Sequence, residues 1–356
     1  MGYEKILENI RKKAAKINRP LRFMELCGTH AEAIARHNIK SVLPKNIQLV
    51  SGPGCPVCVT DQEDIDVIVG LAKAGIPVAC YGDAAGVSGN LGSLEEARRN
   101  GADVRIIYDV SEVETPAYRT GRHCNAFLRT RKKTIIFWGI GFETTAPATA
   151  WAVKNGMTVF SSHKIFPPAM EILLKNKKNK IDGFIDPGHV SAIIGTKSYE
   201  KFKIPQVVAG FEASDVLLAV DMLLDQIISG EYKVQNEYAR LVKKGGNKKA
   251  LELIKSTFDI IDSKWRGLGT IRRSGLKLKK KYQKQDAEFI YKDLILKIRE
   301  NIKTKPSACR CGEVLQGLIE STDCPLFGKV CNPDNPQGAC MVSTEGGCNI
   351  EYRYEK

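Results

Sequence analysis

Long apolar runs are missing from this sequence. Nowhere do about eighteen uninterrupted apolar residues occur, which argues against a membrane-spanning helix. Missing as well is an N-terminal apolar stretch followed by a small-residue cleavage site. Residues 1–20 carry charges throughout and predict an amphipathic helix, so a cytoplasmic location with no membrane contact is expected. The C-terminal cysteines lack the short C-x2-C of a zinc ribbon or a bacterial ferredoxin. Lacking an export signal, the chain is also a poor match to a small disulfide-stapled scaffold.

What is present is ample for folding. The chain has 356 residues, 43% hydrophobic and 26% charged, enough for two or three globular domains. Its 11 cysteines are an odd number, which excludes complete intrachain pairing and favours metal ligation or redox chemistry. Net charge is +14, concentrated between residues 240 and 305, where 20 Lys or Arg face 7 Asp or Glu. Aromatics are few there and no nucleic-acid motif accompanies the charge. A solvated, Lys-rich helical surface without nucleic-acid function is expected.

Short apolar runs rich in β-branched and aromatic residues occur at 21–26, 47–51, 76–81, 104–108, 134–139, 157–161, 181–185 and 206–209. Helical patterns follow several of them, at 31–38, 61–74, 145–155, 168–175 and 213–229. This rhythm predicts an α/β fold with parallel sheets. The expected division is sequential. Residues 20–120 form one α/β domain and 121–230 a second, the two facing a cleft, with a break in the polar stretch near 115–130. Residues 231–356, together with 1–19, form a mainly helical, Cys-rich part from which strand signal vanishes. GFETTAPATA at 141–150 and GFEASDVLLA at 210–219 are a weak internal echo that favours two related halves.

Three cysteine motifs carry chemistry. In the tail, Cys309, Cys311, Cys324, Cys331, Cys340 and Cys348 alternate with Gly and Pro. Thiolates on such loops suit an iron–sulfur cluster first, then zinc, then disulfides. SGPGCPVC at 51–58 puts Cys55 and Cys58 at a helix start, where the positive dipole end favours thiolate. A redox dithiol and a pair of metal ligands both fit. LCGTH at 26–30 ends another apolar run, and Cys27 with His30 forms a candidate thiolate–imidazole pair. Ligands of open parallel sheets bind outside the carboxyl ends of strands, so Cys27, Cys55 and Cys58 are expected to meet. Loops at Glu143, Thr144 and Thr145, at His189, and at Glu212 occupy the same kind of position. Each alone reads as helix capping, and together they suggest a polar cleft. Cys80 and Cys124 match no motif and are taken as structural.

These motifs, with WRGLG at 265–269 and CGEVLQG…CPLFGKVC…GACMVSTEGGC, resemble in order and spacing the HypD family of nickel–iron hydrogenase maturation factors. The resemblance runs from about residue 21 to the C-terminus. It implies two α/β domains and a part carrying a 4Fe-4S cluster on Cys309, Cys324, Cys331 and Cys348. It further implies an assembly scaffold that, with a small HypC-type chaperone, holds iron while cyanide and carbon monoxide ligands are added. A HypE-type protein donates the cyanide. Cys27 then corresponds to the iron-holding thiol, and Cys55 and Cys58 to cleft thiols that ligate iron or cycle through a disulfide. His30, Glu143 and His189 are the expected polar participants. Cys311 and Cys340 form a candidate redox pair beside the cluster, similar to the relay of ferredoxin–thioredoxin reductases. The alternative is a freestanding iron–sulfur thiol-disulfide oxidoreductase.

Overall fold

The computed structural model describes residues 2–113, 134–304 and 307–354. The break expected near 115–130, the 120/121 boundary and Cys124 lie outside the described residues. All eight expected strands form: β1 (Leu21–Glu25), β2 (Ile47–Ser51), β3 (Val78–Tyr81), β4 (Val104–Ile107), β5 (Ile136–Gly139), β6 (Thr158–Ser161), β7 (Gly183–Pro187) and β8 (Gln206–Ala209). Three more follow, β9 (Val234–Asn236), β10 (Phe258–Trp265) and β11 (Gly269–Leu278).

Two parallel sheets result, with orders β2-β1-β7-β8-β9 and β4-β3-β5-β6. Sheet membership therefore does not run sequentially. The chain starts the first sheet, leaves after β2, builds the second from β3–β6, and returns to place β7 directly beside β1 in the register Phe23↔Gly183. Apolar periodicity marks a strand but does not name its partner. A shared core joins the sheets, with Met24, Phe184 and Val208 from the first meeting Val78, Ile136 and Trp138 from the second.

The N-terminal amphipathic helix, Tyr3–Ala14, buries Ile6, Leu7, Ile10 and Ala14. It does not join the C-terminal part. It packs on the helix Ala213–Ser229 over the first sheet, and Lys13 pairs there with Asp221 at 2.8 Å. Ile6, Leu7 and Ile10 each remove a whole side chain from water, about 1.5–3 kcal/mol apiece before the entropy of ordering.

The basic stretch is less helical than expected. β10 and β11 form an antiparallel hairpin. Its outward positions mix Asp259, Asp262 and Lys264 with exposed Ile260 and Ile261, which hid the strand alternation, and Trp265 anchors it by donating from its indole to Ser274 Oγ at 2.9 Å. Part of the charge is paired, as in Lys264–Glu63 and Arg299–Glu63. Among the described residues no helix is long and apolar enough to cross a membrane.

Candidate functional site

β1 and β2 are neighbours in parallel register, Glu25 beside Ser51, so the loops that leave them emerge side by side. Gly54 shows how close they come. A Cβ there would lie 2.5 Å from the Cys27 nitrogen and 2.6 Å from its Cα, so only glycine lets the GPGC loop lean on the LCGTH loop.

Cys27 is the extended residue before the helix Gly28–Arg36, and its N–H donates to Glu25 Oε2 at 2.8 Å. The thiol does not follow the helix-start rule. Burial, then the charges of Glu345 and Glu25, push it up to about 12. Glu25, which sequence reasoning passed over, is buried beneath this site. Its carboxyl accepts from the Cys27 N–H, its backbone carbonyl accepts from the Gly52 N–H at 2.9 Å, and burial pushes the carboxyl up to about 8. A carboxylate inside an apolar run, one pleat before the cysteine, was the available signal.

Cys55 and Cys58 are joined as a disulfide, with Cα atoms 5.3 Å apart. They flank the single turn Pro56–Val59, where the Cys58 N–H points at Cys55 Sγ at 3.1 Å. In this state neither sulfur titrates or ligates a metal. Two electrons and two protons convert the bond to two thiols.

The C-terminal segment closes over both loops. The helix Ala339–Val342 packs on the turn Pro56–Val59, and Ala339 O lies 3.8 Å from Cys58 Sγ. One residue on, the Cys340 thiol is 2.7 Å from that of Cys311. Glu345 lies against Gly28.

The two histidines turn elsewhere. His30 is buried and directs Nε2 to the Ala209 carbonyl at 3.2 Å, not to Cys27, so the expected thiolate–imidazole pair is not formed. Its Nδ1 has no partner among the described residues, and burial pushes it down to about 4, leaving it neutral. His30 and His189 instead meet Phe211, with ring centroids 5.0 and 4.0 Å away. The loop's own periodicity explains this: three residues past Cys27, the residue that leads into the helix, His30 already lies on the helix's buried face.

Glu143 is buried on the second sheet's side, accepts from the Phe166 N–H at 3.1 and 3.2 Å, and is pushed up to about 7 by burial. Tyr199, also buried, has its hydroxyl held well up first by burial and then by Asp186, with smaller contributions from Glu143 and Cys27. Asp186, just before the GHVS motif, has no partner on either oxygen and burial holds its carboxyl well up. Thr145 bonds back to Ile140 O and Glu212 sits in a reciprocal cap with Asp215, so both act in turns and caps.

The six tail cysteines gather under this site. Cys309 is driven up chiefly by the Cys311 thiol and also feels Cys324, while Cys331 feels Cys348 and Cys324. Gln337 N–H lies 3.3 Å from Cys331 Sγ, and a Cβ on Gly338 would come within 2.6 Å of Cys309 Sγ. Among the described residues, no three Cys, His, Asp or Glu side chains gather as ligands of one ion. A four-iron cluster makes a different demand, one thiolate per iron. Cys309, Cys324, Cys331 and Cys348 offer it four thiols linked in a chain of electrostatic neighbours, Cys309 with Cys324 and Cys331 with both Cys324 and Cys348, beside a donating backbone N–H. Cys80 lies fully buried in β3, apart from these motifs.

A family model described as the hydrogenase formation hypA family, HypD, matches residues 2–355. A Methanocaldococcus jannaschii protein named for hydrogenase expression/formation is 44% identical over 364 residues, covering 99% of this chain and 97% of its own. The hydrogenase maturation factor HypD of Escherichia coli is 40% identical over 368 residues, 99% of this chain and 95% of its own. That of Cupriavidus necator is 36% identical over 371 residues, 99% and 94%.

Proposed function

This chain belongs to the HypD family of hydrogenase formation proteins, and from that premise we propose that it acts in hydrogenase maturation as an iron-assembly scaffold. In this reading Cys27 holds the iron that is the cargo, together with a thiolate of a small HypC-type chaperone. Cyanide arrives from a HypE-type protein. Cys55 and Cys58 become available as ligands, or as a two-electron couple, only after their disulfide is opened. Cys309, Cys324, Cys331 and Cys348 would hold a 4Fe-4S cluster, whose chemistry is to supply electrons one at a time. Cys311 and Cys340 then stand between that thiol set and Cys58.

The observation that carries the proposal is the juxtaposition at Cys58. The disulfide from the β2 loop touches the backbone of the residue preceding Cys340, whose thiol in turn touches Cys311. Within that reading, Glu25 holds the Cys27 backbone in place, and His30, neutral and turned to Ala209, supports the loop without acting as a base.

The test is anaerobic purification with the small partner, followed by iron and sulfide analysis and infrared spectroscopy. Bands of iron-bound cyanide and carbon monoxide on the complex are expected. The same disulfide favours a second reading, a freestanding thiol-disulfide oxidoreductase. Turnover of disulfide substrates by the chain alone, with no ligated iron on the complex, would decide for it.

A further inference from the structure

Cys27 is only 8% exposed, although the chemistry proposed for it requires a partner and an iron ion to reach it. What lies over it is the turn at residues 343–347, between the helices Ala339–Val342 and Gly347–Tyr354. A side chain built on Gly28, the residue after Cys27, would meet Glu345 Cβ and O at 2.5 Å. The turn differs from its surroundings. Its tip, Thr344 and Glu345, is exposed, whereas Met341 before it and Cys348 after it are buried in the core at 1% and 8% exposure. Two glycines, Gly346 and Gly347, join tip to helix.

One side chain from the other sheet holds the tip down. Asp83, in the short helix Gly82–Ala85 that follows β3, accepts three hydrogen bonds on Oδ2. They come from Ser343 Oγ at 3.1 Å, Thr344 N–H at 3.2 Å and Thr344 Oγ1 at 2.9 Å. Arg353 adds a bond to Thr344 O at 2.8 Å, but from the helix that continues the same segment. Charge works against closure: although Glu345 is exposed as a residue, its carboxyl is partly desolvated against its neighbours and is pushed up first by that desolvation, then by Asp83 and by Glu32. A short turn with an exposed tip, anchored ends, a glycine joint and one cross-sheet acceptor has the make-up of an element that opens locally while the core stays shut.

We propose that residues 343–347 form a strap that gates Cys27, and that Asp83 is the positioning residue that clasps it closed. The inference rests on Cys27 being the working thiol, but its test reads access to the sulfur and not maturation.

The experiment is timed iodoacetamide labelling of the full chain under anaerobic conditions. Cys27 is followed on the tryptic fragment 23–36, which contains no other cysteine. Cys80, fully buried in β3, reports any global loosening. Asp83→Ala should raise the Cys27 labelling rate about tenfold, the effect of losing roughly one net hydrogen bond's worth of closure, with Cys80 unchanged. Asp83→Asn, which keeps an acceptor oxygen, should restore most of the protection. Cys27 labelling at the wild-type rate in Asp83→Ala overturns the proposal. So does a wild-type chain whose Cys27 already reacts as fast as in urea. If Asp83→Ala exposes Cys80 in step, Thr344→Val, which removes one hydroxyl, decides by the same criteria. A gate confirmed this way in a chain that never yields ligated iron would refute the assembly reading alone.

Discussion

Cys58 Sγ lies 3.8 Å from the carbonyl oxygen of Ala339, across 281 residues of sequence. In the disulfide this is a contact without a hydrogen. Once Cys58 is reduced, its S–H gains an acceptor there, so the C-terminal segment is placed to favour the thiol form of Cys58. The carbonyl belongs to the residue before Cys340, so the β2 loop and the tail thiols share one piece of backbone.

Replacing Cys324 or Cys331 with Ala should abolish the brown chromophore and most bound iron and sulfide after anaerobic purification. Visible absorption and iron analysis check this. Full cluster absorption in both variants would show that these cysteines are not cluster ligands.

Cys27→Ala should keep the cluster absorption while infrared bands of ligated iron on the partner complex disappear. Cys55→Ala should behave alike. The lost thiol is small, so unfolding free energy should fall by no more than about 1–2 kcal/mol. Retention of the bands at wild-type intensity removes Cys27 from the iron site.

Gly54→Ala tests the contact between the two loops. The added methyl would sit 2.5 Å from the Cys27 nitrogen, against backbone that cannot swing aside as a flexible side chain does. The overpacking should cost about 1–3 kcal/mol in urea unfolding. A variant as stable as wild type, with unchanged Cys27 labelling, would show that the loops have room to part.

Glu143 carries a pH dependence of defined sign. Its folded pKa, about 7, stands above the ordinary 4.5, so its favourable term is complete below pH 4.5 and is lost as pH rises through 7. Glu143→Gln abolishes the titration. Between pH 4.5 and 8 the variant should gain about 3 kcal/mol on the wild type, the equivalent of the shift. Parallel stability curves for the two proteins would mean that Glu143 ionises as an exposed carboxyl does.

By itself the sequence determined the parts. Eight parallel strands, the helices that follow them and the cysteine loops at their ends were legible because apolar periodicity and Gly/Pro punctuation are local properties. Partnership was not legible. That β1 lies between β2 and β7, that the Tyr3–Ala14 helix covers the first sheet, and that residues 258–278 fold as a hairpin depend on contacts between segments far apart in sequence. The same holds within the site. LCGTH places His30 three residues from Cys27, but the buried face of the Gly28–Arg36 helix takes the imidazole to Ala209 O. SGPGCPVC announces two sulfurs, whereas the disulfide between them and the tail packed over them appear only in three dimensions. A thiol's ionisation was the least legible property of all. The helix start should lower Cys27, and the raised value comes from desolvation and from Glu345, 318 residues later in the chain. Local pattern sets which chemistry is present, and burial, created only when distant segments pack, decides the state in which it is held.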